Sequence, residues 1–229
     1  MCTRFALKTK PEDLQKLLGL EQALDWKPRY NLAPSQSIPA VIRPLENKKR
    51  ELRSLRWGFH QTWAQGGRLL VNARSEDIQD KPFFQGSFEK WRCLIPMDGF
   101  YEWRHEGKET RPHYIHMTSQ EPFAVAGIWS PQEEGKQTVD CAAVLTTQSN
   151  FDIAFIHDRM PVILRPQDFE QWLDVDYEMD FEKVKRLMKP FREGLLESHE
   201  VGDWVNSPAN DNEKCIERYN GPSTLSLPF

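Results

Sequence analysis

Apolar positions in this chain recur with two different spacings, and the changes between them order the molecule. Residues 11–24 open with Pro11 and the acids Glu12 and Asp13, then set Leu14, Leu17, Leu18 and Leu24 on one helical stripe, with Leu20 beside it. This predicts an amphipathic surface helix. Further on the pattern shortens. Ile38–Ile42, Leu52–Trp57, Arg92–Pro96, His113–Met117, Phe123–Trp129 and Val139–Thr146 are brief runs of β-branched or aromatic residues bounded by Pro, Gly or charged turns. They predict strands. Helical spacing returns over Pro166–Leu173 and Phe181–Met188, each after a turn or an acidic stretch. Strands in succession with peripheral helices predict an α+β fold, a mostly antiparallel sheet curled into a barrel-like core.

No linker, low-complexity tract or repeat divides the 229 residues, so one domain over 1–229 is expected. No run approaches the ~18 apolar residues of a membrane span, and the N-terminus lacks an apolar signal core. A soluble, cytoplasmic monomer with no membrane partner is expected. Net charge is −4, which argues against coating nucleic acid by bulk electrostatics. It leaves room for a local basic groove, because Arg4, Arg29, Arg53, Arg56, Arg68, Arg74 and Arg92 all fall in the first hundred residues. The four cysteines, Cys2, Cys93, Cys141 and Cys215, lack the paired spacing of zinc sites. Free thiols, no metal and no cofactor are expected. His113 and His116 have ligand-like spacing, but residues an odd number apart on a strand face opposite ways.

The residue richest in chemistry is Cys2. A small residue after Met1 is what methionine removal requires, and removal leaves a free α-amine and a thiol on one residue, a 1,2-aminothiol. An aldehyde condenses with the amine to an imine, and the thiol closes that imine to a thiazolidine, which resists hydrolysis. With reference values of roughly 7.7–8.0 for the amine and about 8.5 for the thiol, both are expected to be partly nucleophilic near neutrality.

Four further segments hold polar residues that strand packing does not explain. Val71–Glu76 carries Asn72, Arg74 and Glu76, and reads alternatively as a helix start capped by Ser75. In Asp98–Trp103, Glu102 stands between Tyr101 and Trp103, where burial beside aromatic rings would raise its pKa into the range of a general acid and base; the alternative is a surface hairpin glutamate. In Ile156–Pro161, His157 is followed by Asp158 and Arg159, a set suited to proton transfer at neutral pH or to a helix end with a solvated ion pair. Trp57-Gly58-Phe59 through Trp63 could stack on bases or simply fill the core.

In order along the chain, Cys2 with Arg4-Phe5, Tyr30–Pro34, Trp57-Gly58-Phe59, Asn72–Glu76, Arg92–Pro96, Gly99–Trp103 and His157–Pro161 resemble the SOS-response-associated peptidase family. The resemblance covers nearly the whole chain; where the family has glycine after the cysteine, this chain has Thr3. It implies covalent crosslinking to abasic sites in single-stranded DNA, with nucleoid association when on DNA. Abasic deoxyribose opens to an aldehyde at C1′, the electrophile an N-terminal cysteine is suited to capture. By the same resemblance Glu102 is the general acid/base, His157 moves protons at the sugar ring oxygen, and Asn72 holds the sugar against Cys2. Arg4, Arg74 and Arg159 would bind phosphates, and Trp63 would stack on or wedge beside a base. The imine acidifies the C2′ protons, so lyase activity is open until thiazolidine closure removes it. The peptidase name is read as removal of Met1. Two other readings are an N-terminal-nucleophile cysteine amidohydrolase or peptidase and a non-catalytic single-strand binding module. The first uses the Cys2 thiol against an amide; the second makes no use of Glu102 and His157.

Overall fold

The structure, a computed structural model, describes residues 2–21, 25–46, 48–60, 69–175 and 180–221. The chain enters as strand β1 (Phe5–Leu7), forms helix α1 (Pro11–Leu18), and returns through β2 (Arg29–Leu32) to the hairpin of β3 (Ser37–Ile42) and β4 (Glu51–Trp57). Three short strands follow, β5 (Phe59–His60), β6 (Leu69–Leu70) and β7 (Asn72–Arg74), and then helix α2 (Pro82–Lys90). A run of successive strands fills the middle of the chain: β8 (Arg92–Met97), β9 (Gly99–Glu106), β10 (Glu109–Met117), β11 (Phe123–Glu134) and β12 (Gln137–Gln148). Beyond them are β13 (Arg159–Pro161), β14 (Ile163–Leu164), helices α3 (Phe169–Leu173) and α4 (Phe181–Lys185), and β15 (Leu196–Glu200).

Five strands close into a ring. β4 pairs antiparallel with β3, β3 with β8, β8 with β11 and β11 with β12. β12 then meets β4 in parallel, with Cys141 opposite Arg56. This is the barrel-like, mostly antiparallel core expected from the sequence. Closure pairs backbone groups that an open sheet would leave along an edge. A second sheet, in the order β15-β10-β9-β1-β2, places the first strand of the chain between two others. All three residues of β1 are buried, and Phe5 packs edge-on against Trp57 with ring centroids 5.2 Å apart. The N-terminal segment is thereby fixed against the barrel.

Local chemistry explains where the elements depart from the sequence reading. Helix α1 stops at Leu18, not residue 24, because Gly19 turns left-handed at φ 63° and the Leu20 N–H closes on the Gln15 carbonyl; residues 22–24 lie outside the described set. Pro166–Leu173 divides into a 3₁₀ turn and α3, and the helix expected over Phe181–Met188 ends at Lys185. Asn72–Arg74 is a strand, not a helix start: β7 extends β12 in parallel and the Ser75 N–H donates to the Thr146 carbonyl. Trp57 and Phe59 are core residues. Gly58 between them sits at φ 120°, with Leu69 packed where a Cβ would stand.

Most of the early arginines, for which the sequence left room in a local basic groove, are committed within the fold. Arg29 pairs with Asp211, Arg53 with Glu51 and Arg56 with Glu134. Arg92 is buried, donating to the carbonyls of Phe88, Trp172 and Asp174, and burial brings its pKa down to about 10. Arg68 lies outside the described residues. No described helix is long and apolar enough to cross a membrane.

Candidate active site

Three elements converge where β1 begins. Phe5 pairs with Phe100 and Ala6 with Gly99 across β1 and β9, and the Tyr101 N–H donates to the Arg4 carbonyl. Continuing that antiparallel register by two residues sets Glu102 opposite Thr3, beside Cys2. β7, held on β12 through Asn72 opposite Val144, brings Asn72 to the same point. Its Nδ2 donates to the Cys2 carbonyl at 2.8 Å. Asn72 Oδ1 is buried and accepts no hydrogen bond from the described residues. An unmet buried acceptor beside Cys2 is available to a ligand hydroxyl or amine.

Cys2 is fully buried, and burial with the nearby Glu102 carboxyl pushes its thiol pKa well above the ordinary thiol range. This corrects the expectation of a partly ionised thiol near neutrality. The thiol is protonated there and needs a base to react. Glu102 can supply one: it is 2% exposed, and burial raises its pKa from 4.5 to about 7, with Asp158 adding to the rise and the amino-terminal charge opposing it. The direction and its cause, burial, match the sequence reading, but the flanking rings are not what buries it. Neighbours on a strand face opposite ways, so Tyr101 belongs to the smaller core cluster with Tyr114 and Cys215, Trp103 packs against that cluster, and Glu102 faces the barrel side with Phe100.

His157 ends the turn that follows β12. Its Nδ1 accepts the Arg159 backbone N–H at 2.9 Å, and Asp158 Oδ1 lies 2.9 Å from the same nitrogen. The two contacts require opposite states of Nδ1. A backbone amide can only donate, so the neutral ring carries its proton on Nε2 and presents that edge as a donor. Burial and the amino-terminal charge both lower the His157 pKa, which favours this neutral form near pH 7.

The cations divide into committed and open ones. Arg4 donates to the Val205 carbonyl at 2.8 Å, and the Asn31 side chain lies at 3.5 Å. Arg159 forms a two-pronged pair with Glu76, at 2.7 and 2.8 Å, and donates to the Thr146 carbonyl at 2.7 Å. The geometry therefore gives both a structural task. Arg74 is exposed and has no ion pair among the described residues. It lines a groove of about 420 Å³ with Gln148, Ser149, Ala154, Asp158 and Arg159. Trp63 and Met1 lie outside the described residues. Gln148 and Ser149 were not foreseen from the sequence; they reach this groove because β12 runs past β7, and nothing local in the chain signals that. Among the described residues all four cysteines are unpaired thiols, and no cluster of three His, Cys, Asp or Glu could hold a metal.

Residues 1–208 match the family model described as SOS response associated peptidase (SRAP). The chain is 34% identical over 228 residues to the abasic site processing protein YoqW of Bacillus subtilis, covering 96% of this chain and 100% of that protein. It is 34% identical over 231 residues to the abasic site processing protein YoaM of the same organism, covering 96% and 99%. A crystal structure of a protein from Bacteroides thetaiotaomicron superposes with a TM-score of 0.81 at 22% identity, covering 95% of this chain and 100% of that one. That likeness extends to the fold.

Proposed function

This chain belongs to the SOS response associated peptidase family, and on that premise we propose that it processes abasic sites in single-stranded DNA by capturing them on Cys2 as a thiazolidine. Two of its relatives carry abasic site processing in their names. The observation that carries the chemistry is the placement of a fully buried Cys2, its carbonyl held by Asn72, beside a carboxyl that titrates near pH 7.

Hydrolysis of the Met1–Cys2 bond frees the α-amine. In the closed sugar the C1′–O4′ bond must break: the protonated His157 ring, its Nδ1–H paired with Asp158, gives the Nε2 proton to O4′ and is left neutral, while the Glu102 carboxylate takes the proton of the C1′ hydroxyl, leaving the aldehyde. The Cys2 amine then adds to C1′. Glu102, now protonated, protonates the departing hydroxyl, which leaves as water and gives the imine in its protonated form. Finally the thiol proton passes to the Glu102 carboxylate, Sγ adds to C1′, and the protonated imine nitrogen becomes the neutral ring N–H. One water is lost for each adduct formed. Orienting Cys2 through its carbonyl is the kind of positioning that lowers an entropic barrier. Until the ring closes, the imine acidifies C2′, so β-elimination competes with thiazolidine formation; reversal retraces the same steps and releases DNA. Arg74 is the phosphate contact, while Arg4 and Arg159 hold the framework around it.

Intact-mass analysis tests the reading. The mature chain is expected to lack Met1 and, after mixing with an oligonucleotide bearing one abasic aldehyde, to gain the oligonucleotide mass less one water. The Cys2→Ala variant keeps an amine but no thiol, so strand scission should replace the lasting adduct. Equal adduct yield from wild type and Cys2→Ala on a denaturing gel would remove Cys2 from the mechanism.

A further inference from the structure

The groove beside Arg74 does not end at Ser149 and Ala154. Those two residues also wall a second hollow of about 590 Å³, completed by Asn150, Phe151, Pro190, Phe191, Arg192 and Glu193. Phe151 is 83% exposed at its rim. Single exposed apolar side chains are common, but this one stands on a braced turn. Asp152 accepts the Gly194 and Leu196 N–H groups, at 2.9 and 3.2 Å, and Asn150 Nδ2 donates to the Phe191 carbonyl at 3.1 Å. The ring is therefore presented by a fixed platform. Asn150 itself is 95% buried, since only 5% of it is exposed, and its Oδ1 accepts no hydrogen bond from the described residues. Arg192 is exposed and has no ion pair among the described residues, and Glu193 is the one acid in the lining.

A flat aromatic face, a buried neutral acceptor and an open cation in one hollow are the three complements of a nucleotide: base, base N–H and phosphate. We infer that this second hollow seats a nucleotide flanking the lesion on the same strand, its base on Phe151, an N–H of that base donated to Asn150 Oδ1, and its phosphate at Arg192. The inference rests on the abasic-site reading above and adds a subsite to it. Every base has a π-face, and every base carries an amine or ring N–H, so the contact tolerates sequence. It acts on one side of the lesion only, because the hollow continues the Arg74 groove in one direction.

The test uses reversible binding to oligonucleotides carrying a tetrahydrofuran spacer, which has no aldehyde and cannot crosslink. One oligonucleotide extends only 3′ of the spacer, one only 5′, and one carries base-free spacers on both sides. Phe151→Ala should weaken binding on the order of ten-fold, within the range of one base–aromatic stack, for one of the two single-flank oligonucleotides. It should leave the other and the base-free one unchanged, and Phe151→Trp should restore the loss. Unchanged binding to both flanked oligonucleotides, or an equal loss on the base-free one, would overturn the subsite. Failure of the abasic-site reading looks different: the wild type itself would then form no adduct with aldehyde-bearing DNA.

Discussion

Replacing Glu102 by Gln removes a titrating proton and keeps the shape of the side chain, so it isolates the energetic cost of the buried carboxyl. In the native state its pKa rises from 4.5 to about 7 because the group is buried. A native value above the unfolded one means that the folded chain binds more protons between those two pH values. Stability from this group is therefore fully present below about pH 4.5 and is lost as the pH climbs through about 7. At 1.36 kcal/mol per pH unit, the interval from 4.5 to about 7 corresponds to about 3 kcal/mol. The amide that Glu102→Gln introduces carries no charge at any pH and suffers no such loss. The variant should thus gain stability over the wild type from pH 4.5 to 8, approaching about 3 kcal/mol, or roughly 6–12 °C in midpoint temperature for a chain of this size. Urea titrations of both proteins across that pH range measure it. A constant offset reflects repacking and does not bear on the point. Parallel pH–stability curves would refute a strongly raised native pKa and would leave Glu102 an ordinary carboxylate throughout.

Release of DNA from a preformed adduct needs a proton for the leaving amine, so Glu102→Gln should slow release by about 10²–10⁴-fold in a competitor chase. Equal release rates would assign the proton transfer to His157 or water. Of the cations lining the two hollows, Arg74 and Arg192 are the open ones, so reversible binding should show a slope near −1.4 in log K against log salt, at about −0.7 per phosphate on a single strand. Arg74→Ala should bring the slope to about −0.7 in an anisotropy titration while leaving adduct formation intact at saturating DNA. An unchanged slope would place Arg74 off the phosphate track.

The readable parts of the sequence were those whose meaning is complete within a few residues. The aminothiol potential of Cys2 is a property of one residue and its predecessor, and the strands of the barrel announce themselves as short β-branched runs. Free cysteines are commonly buried, but strand β1 is too short for any periodicity, so its pattern did not show that burial would drive the Cys2 thiol pKa up. At Glu102 the alternation rule would have turned Tyr101 and Trp103 away from it; its raised pKa comes from the barrel face instead. The arginines were hardest to read, because a guanidinium is open or committed according to partners far away in the chain. Arg159 meets Glu76 across 83 positions and Arg4 meets Val205 across 201. No run of neighbouring residues encodes those pairings.

On the proposed mechanism, the same pairings bear on how a chain of net charge −4 would act on a polyanion. On that mechanism, holding Arg4 on Val205 and Arg159 on Glu76 gives up phosphate contacts, yet it fixes the starts of β1 and β13, around which Cys2, Asn72, Glu102 and His157 would hold their relative positions. For a protein that relied on reversible binding this would be a poor exchange, since affinity for a single strand comes largely from phosphates. For one that ends in a covalent bond, the encounter has only to last until C1′ meets the Cys2 amine. What decides the outcome is then the geometry of proton transfer, and a rigid framework with two open cations serves that better than a basic groove.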